Sequence, residues 1–163
     1  MRKFKALVID DSRVMRSMLM QGLKKTQLAE FEFVEAEDGK DALAKMESGD
    51  FQVAFVDWNM PNMTGIEFVR AVREQEKARD DENVPLVMVT SEKTMSKIEE
   101  ALDQAGADAF ICKPFTPEEL GVKLKKVMEK AELVQVRKLR KQRAEQAQPV
   151  QASSGGLLGK LFG

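Results

Sequence analysis

The chain has 163 residues, a formal net charge of -1, one cysteine and no histidine. That balance offers no global basic field for nucleic acid, excludes an internal disulfide framework and argues against a Cys/His zinc site. The length suits one domain of ordinary size with some chain left over. Met1-Arg2-Lys3 leads into an apolar stretch too short for a signal peptide or a membrane span, so a cytoplasmic protein is expected.

Strand and helix patterns then alternate. Phe4 to Ile9 is a short apolar run, and Ser12 to Leu23 follows with Val14, Met15, Met18, Leu19 and Leu23 at helical spacing. Phe31 to Val34 is a more alternating strand. Asp38-Gly39 opens a helix with Ala42, Leu43 and Met46 on one face, stopped by Ser48-Gly49-Asp50. Phe51 to Val56 is the third strand, its apolar end Val53 to Val56. Gly65 opens a helix carrying Ile66, Phe68, Val69 and Val72.

Val84 to Val89 is almost wholly apolar, as a strand covered on both faces should be. Met95, Ile98, Ala101, Leu102 and Ala105 mark the fourth helix, with Gly106 as its stop. Ala109 to Cys112 is the last strand. Thr116-Pro117-Glu118-Glu119 then starts a helix with a capping threonine, proline at the first helical position and a glutamate completing a capping box. Five strand–helix pairs predict an α/β fold with a parallel sheet and right-handed crossovers. Five units of this size suit the flavodoxin-like doubly wound order 2-1-3-4-5.

The strand ends carry the chemistry. Asp10-Asp11, Asp57, Thr90 and Lys113 each follow or close an apolar run, and the carboxyl ends of neighbouring parallel strands converge on one crevice. Three carboxylates, a hydroxyl and an ammonium there suit a divalent cation and a phosphoryl group. Mg2+ favours a few carboxylates plus waters and phosphate oxygens. Without a cation or the lysine, clustered carboxylates would repel one another and raise at least one pKa. A chain without histidine has no Ser-His or Cys-His pair, so any covalent chemistry falls to a carboxylate nucleophile, and acyl-phosphate formation on aspartate fits. Strand-end acids and hydroxyls are also ordinary helix caps: Asp11 or Ser12 for the first helix, Thr90 or Ser91 for the fourth. Capping does not, however, require a lysine at the end of the fifth strand.

Leu7-Val8-Ile9-Asp10-Asp11-Ser12, Asp57-Trp58-Asn59-Met60-Pro61, Val89-Thr90-Ser91 and Lys113-Pro114-Phe115 together resemble the CheY-like receiver domains of two-component response regulators. The resemblance covers about residues 1–130, and Asp57 to Met63 looks closest to the chemotaxis members. It implies that Asp57 attacks the phosphohistidine of a sensor histidine kinase. Asp11, Asp57 and the Asn59 backbone carbonyl would hold Mg2+, with Asp10 acting through water. Lys113 would pair with the aspartate and phosphoryl oxygens, and the Lys113-Pro114 bond would be cis. Asn59 and Glu92 would tune autodephosphorylation, the only other reaction expected of the protein.

The same resemblance implies a switch. Thr90 would move toward the phosphoryl group and Phe110 into the vacated space, biasing a surface made by the fourth helix, fifth strand and fifth helix toward a downstream protein target. The chemotaxis members carry tyrosine at the position of Phe110, so binding to a flagellar motor switch would need a different contact. Trp58 borders the site and reads as loop packing, Cys112 as a small buried hydrophobe, and Asp80-Asp81-Glu82 as a solvated acidic loop.

The receiver is expected to span residues 1–131, with a basic helical extension and flexible tail over 132–163. Leu120, Leu124, Val127, Ala131 and Val134 continue one helical stripe, so the fifth helix is expected to overrun the domain. Arg137 to Arg143 is basic, Gln146 to Gly156 reads as a linker, and Leu157, Leu158, Leu161 and Phe162 form an apolar hook. The hook is either solvated chain or a contact for a partner or membrane. The expected protein is a monomeric, stand-alone receiver, with chemotaxis as its process. A phosphorelay intermediate that passes the group to a histidine phosphotransfer protein, and a phosphate-independent scaffold, remain beside it.

Overall fold

A computed structural model describes residues 1–147. The strands are β1 (Lys3–Ile9), β2 (Glu30–Ala36), β3 (Val53–Val56), β4 (Leu86–Thr90) and β5 (Ala109–Cys112). The helices are α1 (Arg13–Thr26), α2 (Gly39–Ser48), α3 (Gly65–Arg79), α4 (Met95–Glu99, continued by a π-helical segment Glu100–Ala105) and α5 (Pro117–Ala147). All strand pairs are parallel, in the order β2-β1-β3-β4-β5. The doubly wound, flavodoxin-like fold expected of the alternating pattern is the fold observed.

Strand alternation sends successive side chains to opposite faces, and each face has its own core. Leu7, Ile9, Ala54, Val56, Leu86 and Met88 meet Phe68, Val69 and Val72 of α3 on one side. Ala6, Val8, Val53, Phe55, Val87, Val89 and Ile111 meet Leu19 and Leu23 of α1 and Leu120, Leu124 and Val127 of α5 on the other. Helix starts are set locally. Ser12, Asp38, Thr64 and Thr94 each accept a hydrogen bond from the backbone N–H three residues on. Thr116 and Glu119 form the reciprocal capping box. The cap of α1 is therefore Ser12 rather than Asp11, and that of α4 is Thr94, which releases Thr90 and Ser91 from that duty.

Several expectations are corrected. Val14 and Met18 do not face the core but are 67% and 51% exposed, and Met95 is 69% exposed. The buried stripe of α1 is instead Arg16, Leu19, Gly22 and Leu23. Cys112 is half-buried rather than buried. The fourth helix is not uniformly α-helical, although Gly106 closes it at φ 94°, in the left-handed region that glycine tolerates.

The fifth helix overruns as its stripe suggests, burying Ala131 and Val134 and continuing to Ala147. Gln146 and Ala147 are thus helical rather than linker. The rest of that linker and the hook Leu157, Leu158, Leu161 and Phe162 lie outside the described residues. The acidic loop is solvated as expected, with Asp80 and Asp81 exposed, and at the surface Arg137 pairs with Glu82 at 3.6 Å and Lys141 donates to the Asp80 carbonyl at 3.4 Å. Among the described residues no helix is long and apolar enough to cross a membrane.

At the amino-terminal edge of the sheet, Arg73 of α3 donates to Glu76 at 2.6 Å, to Asp108 at 2.9 Å and to the carbonyls of Val84 and Gly106 at 2.8 and 2.9 Å. Lys130 of α5 also reaches Asp108. This network ties α3, α5 and the two loops that enter β4 and β5.

Candidate functional site

Sheet register assembles the site at the opposite edge. Ile9 pairs with Val56 and Val56 with Met88, so Asp10 and Asp57 leave adjacent strands at the same level. Thr90 pairs with Cys112, and the Lys113 N–H donates to the Thr90 carbonyl at 2.9 Å, which carries the row on to β5. Asp10, Asp57 and Thr90 are buried, whereas Asp11 and Asn59 are exposed.

The Lys113 ammonium lies between two of the acids, 2.7 Å from Asp10 Oδ2 and 3.6 Å from Asp57 Oδ1. Asp10 Oδ1 accepts from the Ser12 N–H, and Asp57 Oδ1 from the Trp58 N–H, each at 2.9 Å. Burial pushes the Asp57 carboxyl above its usual range; Lys113 opposes the shift and Asp10 adds to it. Two acids that share one ammonium leave a net negative pocket.

One carboxylate oxygen each from Asp10, Asp11 and Asp57 lie within 4.8 Å of one another. A hard divalent cation takes such a set, and Mg2+ is commonly held by one or two carboxylates with waters filling the remaining positions. The donor set therefore fits the expected ion.

Around this centre, Asn59 donates to Glu92 at 3.3 Å across the mouth of the site, and the Glu92 N–H donates to the Thr90 hydroxyl at 3.4 Å. The Lys113-Pro114 peptide is cis. Phe110 is half-buried on the β5 face that packs against α3 and α4. Trp58 is buried, with the Lys97 ammonium 4.4 Å above its ring. Every strand-end residue singled out from the sequence is brought to this edge, and the apolar hook is outside the described residues.

Two neighbours escaped the sequence reading. Lys97 is a surface lysine by sequence, and nothing local announces its contact with Trp58. Arg16 donates to the Asp10 carbonyl at 2.7 Å and to Glu35 at 2.9 Å. Its signal was available: it sits three residues before Leu19 and seven before Leu23, a charged residue on the buried stripe of α1.

The profile of the response regulator receiver domain matches residues 6–125. The chemotaxis protein CheY of Pseudomonas aeruginosa is 40% identical over 126 residues, spanning 77% of this chain and 97% of that protein. A chemotaxis protein CheY homolog of Campylobacter jejuni is 42% identical over 127 residues, spanning 76% and 92%. The crystal structure of Vibrio cholerae chemotaxis protein CheY4 superposes with a TM-score of 0.65 at 39% identity, covering 77% of this chain and 98% of that one. With that match added to the sheet order and the aspartate–lysine pocket, the chain belongs to the receiver-domain family of two-component response regulators.

Proposed function

We propose that this receiver accepts a phosphoryl group on Asp57 from the phosphohistidine of a sensor histidine kinase and signals, in chemotaxis, through phosphorylation-dependent contact with a protein target. The observation that carries the reading is the position of Asp57, buried at the crevice with the Lys113 ammonium between it and Asp10. A carboxylate oxygen of Asp57 attacks phosphorus as the P–N bond to histidine breaks, leaving an acyl phosphate. Lys113 is placed to follow the charge as it moves from the carboxylate to the phosphoryl oxygens. Asp10, Asp11, Asp57 and the Asn59 carbonyl would hold Mg2+, which when bound neutralises phosphoryl charge and aligns the group for in-line transfer.

The Thr90 hydroxyl is available to the phosphoryl group because Thr94 takes the capping role. Phe110, half-buried, changes rotamer as Thr90 moves, and the two bias the face made by α4, β5 and α5. Asn59 and Glu92, bonded across the mouth, control water entry and hence the autodephosphorylation rate. The receiver proper spans residues 1–131, the remainder being an extension. The protein works as a cytoplasmic monomer without other enzymatic activity.

The test is incubation with acetyl phosphate with and without Mg2+, read by intact mass. A Mg2+-dependent adduct absent from Asp57→Ala supports the reading. No adduct with either acetyl phosphate or a cognate kinase leaves a phosphate-independent scaffold. Ready back-transfer to a histidine phosphotransfer domain would mark a relay intermediate instead.

A further inference from the structure

Of the buried polar side chains at this edge of the sheet, Asp10, Asp57 and Thr90 have roles in the reading above and Arg16 has none. A buried guanidinium loses its hydration at a cost that only good pairing offsets, and an apolar residue on that stripe would pack with less penalty. Arg16 is compensated from two sides. Its Nε donates to Glu35 Oε1 of β2 at 2.9 Å, and its Nη1 to the main-chain carbonyl of Asp10 at 2.7 Å.

That carbonyl is the joint between the two acids. It shares one rigid peptide plane with the Asp11 N–H, so fixing it fixes the direction in which Asp11 leaves the strand. The rest of Asp10 is also held: its N–H donates to the Ala36 carbonyl at 3.1 Å, and its carboxylate oxygens are taken by Ser12 and Lys113. The Asp11 carboxylate, by contrast, is exposed and among the described residues has no hydrogen-bond or ion-pair partner. Its position depends on the backbone that Arg16 grips.

We propose that Arg16 is a positioning residue that clamps the Asp10–Asp11 peptide and so presets the carboxylates for a divalent cation. The inference rests on the reading that Asp10, Asp11 and Asp57 hold Mg2+. It has a distinctive sign. As a mere positive charge near three carboxylates, Arg16 would repel the ion, and its removal would tighten binding. As a clamp, its removal must weaken binding.

The experiment is a Mg2+ titration of the full chain without phosphodonor, followed by Trp58 fluorescence, with Mn2+ paramagnetic resonance as a direct count of bound ion. Arg16→Met should raise the dissociation constant about tenfold, as loss of groups that orient metal ligands generally does. An Arg16→Met chain with a native melt and an unchanged or lowered dissociation constant overturns the clamp. Should that variant not fold, Arg16→Lys decides, since one ammonium cannot hold both partners in the same fork geometry: weaker binding supports the clamp, equal binding overturns it. A parent chain that binds neither ion overturns the metal reading together with the clamp, whereas a parent that binds beside variants that bind equally overturns the clamp alone.

Discussion

Gly65→Ala places a single methyl group against the phosphoacceptor loop. A Cβ at this first residue of α3 would overlap the Asp57 carbonyl oxygen, lie 2.8 Å from its carbonyl carbon and 3.0 Å from Trp58 Cα. Unstrained carbon contacts sit at about 3.5–4.0 Å, so the loop and the start of α3 must part by about 1 Å. The Gly65 N–H donates to the Trp58 carbonyl at 2.8 Å, and that bond is weakened by the same movement. Loss of one hydrogen bond contributes about 1 kcal/mol and overpacking about 1–3 kcal/mol, for a total destabilisation of about 2–4 kcal/mol. The chemical effect is larger, because a 1 Å misplacement of a reacting group can lower its rate about a hundredfold. Urea unfolding and the rate of acetyl phosphate transfer at saturating Mg2+ measure the two separately. Gly121→Ala is the control: nothing lies within 4 Å of its Cβ in α5, so it should gain about 0.5–1 kcal/mol of helix propensity with unchanged transfer. A Gly65→Ala chain that unfolds and transfers like the parent would refute the close-approach argument.

Asp57→Asn should unfold at higher urea than the parent at pH 7 without Mg2+. The folded-state pKa of Asp57 is raised, so the folded chain binds the extra proton between the ordinary carboxylate value and the raised one. Ionised Asp57 thus lowers stability above that window, and the advantage of the variant should shrink as pH falls through it; an advantage that grows toward low pH is the contrary result. Mg2+ at a hundred times its dissociation constant should stabilise the parent by about 2.7 kcal/mol and the variant by less. Lys113→Ala removes the ammonium 3.6 Å from Asp57, so Mg2+ should bind several-fold tighter by titration while phosphoryl transfer slows; slower transfer with weaker Mg2+ binding would instead indicate collapse of the site. Arg73→Met strips a guanidinium from half-buried and buried acids, at about 3 kcal/mol in urea unfolding, the low end for a broken buried pair because Lys130 still faces Asp108. A loss below about 1 kcal/mol would show that water replaces it.

The strands were the most legible part of the chain because their burial is two-sided. Val53–Val56 is buried at every position, and an unbroken apolar run has no other economical placement. Edge strand β2 was read short because its side chains are only partly covered and its pattern fades before the pairing with β1 ends. Helix α1 misled for a different reason. Periodicity marks a stripe but not its width, and Arg16, compensated internally, takes a place on the inner face while Val14 and Met18 turn outward. At the site, strand-end residues were legible because parallel register must bring them together. The Arg73–Asp108 and Lys97–Trp58 contacts were not, since each joins side chains whose proximity is decided by helix packing rather than by any local pattern.

Helix α5 begins four residues after Lys113 and runs through Ala147, the last of the described residues. At 1.5 Å per residue its 31 residues make a rod about 46 Å long, with its head at the aspartate pocket and its shaft passing the acidic loop on the far side of the sheet. A rod of that length is a lever. If it pivots by about 5° at the pocket, its far end swings about 4 Å, more than a hydrogen bond can stretch. The ties from Arg137 to Glu82 and from Lys141 to Asp80 lie along the shaft and would be strained by such a pivot. The described end of the helix is thus joined through its own length to a first turn four residues past Lys113, so that a displacement at the pocket grows with distance from it.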